Sequence, residues 1–312
     1  MKKVYRVRNW SQYNRALINR GNITLWISDD VLKSWYASKH KKRRGRRFCY
    51  SDLCIETILT MRVIFRLPLR GAQGFFEGLA KMLGIDLKIP HYSRLSRRAS
   101  ALELQINRMR EEGKEPIDIA IDSTGLKIYG EGEWKMRTHG KQKRRTWRKY
   151  HVGIDPNTHE VLAMEITNAN VHDSMQMENL LSNLKEVGKV YADGAYPSKR
   201  CMDAIAKRNG KPLIPVRSGT CIVKDPSPGE ELRNELIRER RKLGGKKAWK
   251  KESGYHRRSL VETHMFRLKT IFGGSLKSRT FVNQKTEATI MAKVLNRMTT
   301  LGMPRTETVL LN

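Results

Sequence analysis

Between residues 117 and 121 apolar and polar side chains alternate, with Ile117, Ile119 and Ile121 on one side, and this period of two predicts a strand ending at Asp122. Two further runs, Trp147 to Ile154 and Val161 to Thr167, flank the turn signal Asp155-Pro156-Asn157 and predict a hairpin beside it. Lys189 to Tyr191 reads as the next strand, left at Asp193-Gly194, and Lys211 to Pro215 as a short fifth. Between these runs the apolar spacing becomes helical. His172-Asp173-Ser174 caps a helix holding Met177, Leu180, Leu181 and Leu184, and Pro197 opens another to about Arg208. His172 suits that cap, or a functional role of its own. Residues 216–254 read as an insertion: a Pro-Ser-Pro-Gly loop, a charged helix from Glu231 to Leu243, and a basic stretch from Lys246 to Lys251. Tyr255 to Lys269 then forms one helix that packs through Val261, Met265, Leu268 and Phe272, and residues 283–301 form a last amphipathic one.

The front of the chain shows helical spacing only. Ser28-Asp29-Asp30 starts a helix toward Val31, Leu32 and Trp35. Ser51-Asp52 caps a helix through Ile64, Leu67-Pro68 breaks it, Leu69 to Leu83 forms a second, and Ser93 to Met109 a third. Arg94, Arg97 and Arg98 stand at the front of that third helix, where a helix-turn-helix places side chains in the major groove. The polar stretch Glu111 to Glu115 marks a boundary. Three regions follow: a basic N-terminal arm over 1–50, a helix-turn-helix-like DNA-binding domain over 51–115, and an α/β mixed-sheet domain over 116–312.

Composition narrows the partner. Among 312 residues, 62 Lys and Arg face 31 Asp and Glu, a formal charge of +31. A compact body so charged repels itself unless a polyanion neutralises it, and double-stranded DNA does so with release of counterions. Lys39 to Arg47 is basic throughout except His40 and Gly45. No run nears the roughly 20 apolar residues of a membrane span, so no membrane role and a cytoplasmic location are expected. Cys49, Cys54, Cys201 and Cys221 form no C-x-x-C pair and read as reduced thiols.

Three carboxylates stand out. Asp122 and Asp193 leave the ends of two strands, where open α/β sheets bind ligands. Glu262 lies on the late helix beside Arg258 and Lys269, near the line of Tyr255. Arg258 to Glu262 is also the four-residue spacing of an ordinary surface ion pair. If the strands are neighbours and the helix crosses them, the three acids meet. Carboxylates so close repel one another, and hard divalent cations relieve that repulsion. Two Mg²⁺ or Mn²⁺ ions held there would drive phosphoryl transfer on a nucleic-acid backbone, with the acids as ligands.

The run Tyr255, Arg258, Glu262, Lys269, with Asp122 in Ile-Asp-Ser-Thr-Gly and Asp193 in Ala-Asp-Gly-Ala-Tyr, resembles the signature of DDE transposases of bacterial insertion sequences. The region of Trp26 and Trp35 and Leu95-Ser96-Arg97-Arg98 look most like the insertion-sequence-five family. That resemblance implies an RNase H-like (retroviral-integrase-like) catalytic fold and a nucleoid-associated bacterial enzyme. It implies two divalent ions on Asp122, Asp193 and Glu262, and Tyr255, Arg258 and Lys269 on the DNA phosphates. It also implies action on terminal inverted repeats and target DNA as a homo-oligomer in a synaptic complex. A plain nuclease of the same fold would cut without joining strands. A non-catalytic DNA-binding regulator would be indifferent to loss of Glu262.

Overall fold

A computed structural model of the chain describes residues 2–37, 49–106, 116–128 and 147–311. They form two compact units, Met1–Leu104 with Lys293–Asn312, and Gln105–Ala292. The basic run at 39–47, the polar boundary at 111–115 and most of the loop before Trp147 lie outside the described residues.

The first unit opens on strand β1 (Lys2–Val7), which pairs antiparallel with the last strand, β8 (Thr306–Leu311), from Lys2 opposite Leu311 to Val7 opposite Thr306. Residues 2–37 therefore fold, carrying β1, helix α1 (Trp10–Arg20) and helix α2 (Asp29–Lys33), where the sequence suggested an arm. Three helices follow: α3 (Asp52–Ile64), α4 (Leu69–Met82) and α5 (Tyr92–Ala99). Ser51 caps α3, its hydroxyl accepting the Cys54 N–H at 3.0 Å. Arg66 at φ 52° and Pro68 turn the chain between α3 and α4. Trp35 is fully buried against Phe76, ring centroids 5.9 Å apart, and its indole N–H donates to the Lys88 carbonyl at 3.1 Å. Helix α5 stops ten residues before the expected Met109, of which 107–109 lie outside the described residues. At that end the Ser100 hydroxyl donates to the Arg97 carbonyl at 2.8 Å, a local bond that competes with helical pairing.

The second unit is mixed α/β. Its strands β2 (Ile117–Ile128), β3 (Trp147–Ile154), β4 (Val161–Asn168), β5 (Val187–Tyr191) and β6 (Lys211–Leu213) lie in the order β4-β3-β2-β5-β6. The hairpin strands are antiparallel, while β5 and β6 run parallel to β2. Such a mixed sheet is consistent with an RNase H-like domain. A two-residue strand, β7 (Ser275–Leu276), extends the far end of β2. The first strand does not end at Asp122. It continues to Ile128 because β3 pairs with it well beyond that point, setting Asp122 opposite Val152 and Lys127 opposite Trp147.

Helices α6 (Met177–Leu181) and α7 (Lys199–Ala206) connect the parallel strands. The expected insertion forms α8 (Pro228–Lys242) and α9 (Lys246–Glu252), within the same unit. Buried Asn234 exchanges two 3.0 Å hydrogen bonds with the Val223 backbone, tying the preceding loop to α8. Helix α10 (Ser259–Phe272) buries Val261, His264, Met265, Leu268 and Phe272, the predicted face plus one histidine. Each apolar member of that face adds about 1.5–3 kcal/mol. His264 Nε2 lies 3.2 Å from the Tyr150 hydroxyl of β3, which fixes the helix along the sheet. The last helix, α11 (Phe281–Leu301), belongs to both units, dividing at residue 293. Among the described residues no helix is long and apolar enough to cross a membrane.

Candidate functional site

Strand register brings the two aspartates to the same level of the sheet, Asp122 within β2 and Asp193 just past the end of β5. In the parallel ladder Ala120 pairs with Tyr191, and an equal advance of two residues along each strand leads to Asp122 and Asp193. Each carboxylate is oriented by the backbone. Asp122 Oδ1 accepts its neighbour's N–H from Ser123 at 2.8 Å, and Asp193 Oδ1 accepts the Ala195 N–H at 2.8 Å. Helix α10 supplies the third acid from its first turn, where Glu262 is about half exposed at 54 %.

One guanidinium joins two of the three. Arg258 Nη1 donates to Asp122 Oδ2 at 2.7 Å, with both side chains only 19 % exposed, and Nη2 donates to Glu262 Oε1. The Asp122 carboxyl is pushed up from the ordinary range, first by burial. Ser123 and Arg258 counter this, and the charges of Asp193 and Glu262 push it further up. The charges of both other acids therefore reach Asp122. Lys269 is exposed and donates to the Thr124 hydroxyl of β2 at 2.6 Å, two residues beyond Asp122 on the same strand.

Tyr255 differs from its expected place. Residues 255–258 form a 3-10 turn rather than the first turn of the α-helix, entered through Gly254 at φ 72°. The Tyr255 ring is buried at 7 % exposure beside Trp249, centroids 5.8 Å apart, with Lys250 Nζ 4.9 Å from its centre. Burial pushes its phenol up, while a hydrogen bond with Arg258 and that group's charge draw it down. Tyr255 thus buttresses Arg258 instead of standing on an open face. Arg98 is a second correction. Its guanidinium is buried, 2.5 Å from Asp52 and 2.9 Å from the Tyr50 carbonyl, so it ties α5 to α3. Arg97 is exposed and Arg94 partly so. His172 serves its cap, with Nδ1 accepting the Ser174 N–H at 3.3 Å.

Sequence reasoning missed a polar network behind the acids. Lys149 of β3 lies 3.0 Å from Asp173, whose carboxylate is 3.7 Å from buried His151. Burial lowers the His151 pKa to about 4, against the pull of Asp173. Tyr196 is buried, its hydroxyl has no hydrogen-bond partner among the described residues, and the charges of Asp173, Asp122 and Asp193 all act on it. The only signal in the chain was Tyr196 three residues after Asp193.

The donor chemistry suits a hard divalent cation: three carboxylates, mutually repelling, already drawing a cationic side chain between two of them. In the arrangement described, Arg258 stands between Asp122 and Glu262. No group of three or more His, Cys, Asp or Glu among the described residues is gathered closely enough to hold an ion.

A mixed α/β sheet that carries two aspartates, crossed by a helix that brings a glutamate, offers the kind of oxygen donors that metal-dependent nucleic-acid enzymes use. Residues 113–297, more than half of the chain, match the family described as transposase DDE domain, and residues 18–131 match a second family of that description. The chain belongs to the DDE transposase-domain family. Membership makes it a transposase-type enzyme of a group that acts on DNA and depends on divalent metal. No solved structure matches the chain.

Proposed function

We propose that this protein is the transposase of an insertion sequence of the insertion-sequence-five family. It binds the terminal inverted repeats, cuts the DNA at the element ends and joins the 3′-hydroxyls to target DNA. The observation that carries this reading is the convergence on Arg258: one side chain bonded to Asp122 of β2 and Glu262 of α10, with Asp193 two residues past the end of the neighbouring strand β5. Asp122, Asp193 and Glu262 are the ligands for two Mg²⁺ or Mn²⁺ ions. When bound, such ions would supply Lewis-acid activation of a water or 3′-hydroxyl and charge stabilisation for the leaving 3′-oxygen.

The chain's own groups do the rest. Backbone N–H groups of Ser123 and Ala195 orient the two aspartates, and loading would displace the Arg258 guanidinium from between Asp122 and Glu262. Arg258 and Lys269 flank the acids with positive charge and position the scissile phosphate, while Tyr255 fixes Arg258 from behind. In the first unit, α3, α4 and α5 form the helical DNA-binding domain, with Arg94 and Arg97 toward the repeat. The catalytic domain begins near residue 116. The protein works as a homo-oligomer in a synaptic complex, in the cytoplasm on the nucleoid, and its charge of +31 holds donor and target duplexes together.

The test is cleavage of a duplex taken from the DNA flanking this coding sequence, with Mg²⁺, mapping both strands. Wild type yields a defined 3′-hydroxyl end and, from pre-cut ends, joined products. Glu262→Gln yields neither, yet binds the duplex as well as wild type. Cleavage surviving Glu262→Gln would overturn the assignment. Cleavage without joining would identify a nuclease.

A further inference from the structure

Three clefts on the second unit differ in electrostatic character. One, lined by Lys199, Arg200 and Lys207, also contains Glu178 and Asp203, and Glu178 pairs with two of its bases. Another sets Lys189, Lys211 and Lys242 against Glu239 and Glu252. The third is of another kind. It measures about 470 Å³, is lined by Arg217, Arg233, His172 and Ser198 among others, and holds no acid. Gly194 and Ala195, the residues directly after Asp193, form part of its wall.

The cationic groups there are not neutralised locally. Among the described residues, neither Arg217 nor Arg233 has a carboxylate partner, and Arg233 Nε is buried with no hydrogen bond at all. Arg217 is exposed, while its backbone is held firmly: the Arg240 guanidinium donates to the Arg217 carbonyl at 2.8 Å and to that of Val216 at 3.1 Å. Ser198, the N-cap of α7, also lines the cleft, with its hydroxyl accepting the Cys201 N–H. Two guanidinium groups in one cleft whose wall carries no carboxylate select an anion, and the paired N–H groups of a guanidinium fit a phosphodiester.

We infer that this cleft is a phosphate-binding subsite for a DNA strand entering or leaving the acidic cluster past Asp193. The subsite rests on the transposase reading of that cluster, which it extends to a second point of contact with the substrate. It also gives the insertion a task, because Arg217 and Arg233 both come from residues 216–254. The phosphate belongs either to the element-end strand or to the target strand, and the chemistry is the same.

The experiment measures binding by the full-length protein in chelator, so that no cleavage intervenes. Two probes serve: a duplex from the DNA flanking the coding sequence, and a duplex of unrelated sequence standing for target. Arg217→Ala, an exposed change, and Arg233→Gln are compared with wild type. Each is expected to weaken binding roughly tenfold and to lower the slope of log K against log salt by about 0.9 for every phosphate no longer neutralised. Neutral methylphosphonates are then walked along each duplex. A position that weakens wild type, but leaves Arg217→Ala unaffected, locates the phosphate. Its presence in the flanking duplex identifies the element-end strand, and its presence only in the unrelated duplex identifies the target strand. Unchanged affinity, unchanged slope and no such position would overturn the subsite, while Mg²⁺-dependent cleavage lost in Glu262→Gln would leave the transposase reading standing. Cleavage that survives Glu262→Gln, with the methylphosphonate effect present, would sink the catalytic reading and keep the subsite.

Discussion

Arg258→Gln separates two bonds that look equivalent on paper. The guanidinium reaches Asp122 at 2.7 Å with both side chains 19 % exposed, whereas Glu262 is 54 % exposed and sits one helical turn away. A charge-assisted bond largely out of water contributes about 1.5–3 kcal/mol. An exposed i,i+4 pair contributes about 0.3–0.5 kcal/mol. Arg258→Gln is therefore expected to cost about 2–3 kcal/mol, almost all of it through Asp122, which is left among other acids without its cation. At roughly 2–4 °C per kcal/mol for a unit of this size, Tm falls by about 4–12 °C. The assay is urea unfolding of two double-mutant cycles, Arg258→Gln with Asp122→Asn and Arg258→Gln with Glu262→Gln. The coupling should exceed about 1 kcal/mol in the first and stay below about 0.5 kcal/mol in the second. Equal couplings, or a larger one with Glu262, would refute the view that burial decides which bond matters.

Further outcomes follow from the histidines and from helix packing. Burial lowers the pKa of His151 to about 4 and of His264 to about 3, from 6.5. Folding therefore favours the neutral rings, so their contribution is complete above pH 6.5 and is lost as pH falls toward 4, by about 1.4 kcal/mol per pH unit for each ring. Subtracting the urea stability of His151→Asn from that of wild type between pH 7 and 4.5 should reveal this slope, and a flat difference would refute it. Gly229 lets α8 approach α7 so closely that an added Cβ would meet the Asp203 backbone nitrogen at 2.5 Å. Gly229→Ala should cost about 1–3 kcal/mol by the same assay, since backbone cannot rotate away, and an unchanged midpoint would show that the two helices can part freely.

Local pattern and charge made much of this protein legible. The alternation at Ile117, Ile119 and Ile121, the hairpin turn at Asp155-Pro156, and the apolar face of Val261, Met265, Leu268 and Phe272 each specify an element, because periodicity reports which side is buried. The motif residues Asp122, Asp193, Glu262 and Arg258 were also readable as chemical types at known spacing. Pairing across the fold was not. Whether a strand ends at Asp122 depends on how far β3 runs beside it, and nothing within residues 117–128 encodes that. The first and last strands pair across nearly the whole chain, and each is too short and polar to announce itself alone. Tyr255 and Arg98 carry the same side chains whether buried or exposed, and only Trp249 and Asp52, brought up by packing, decide that they are buttresses. The acid-free cleft is likewise an outcome of assembly: its two arginines lie in a segment that reads as a charged insertion, and only folding sets them in one wall away from any carboxylate among the described residues.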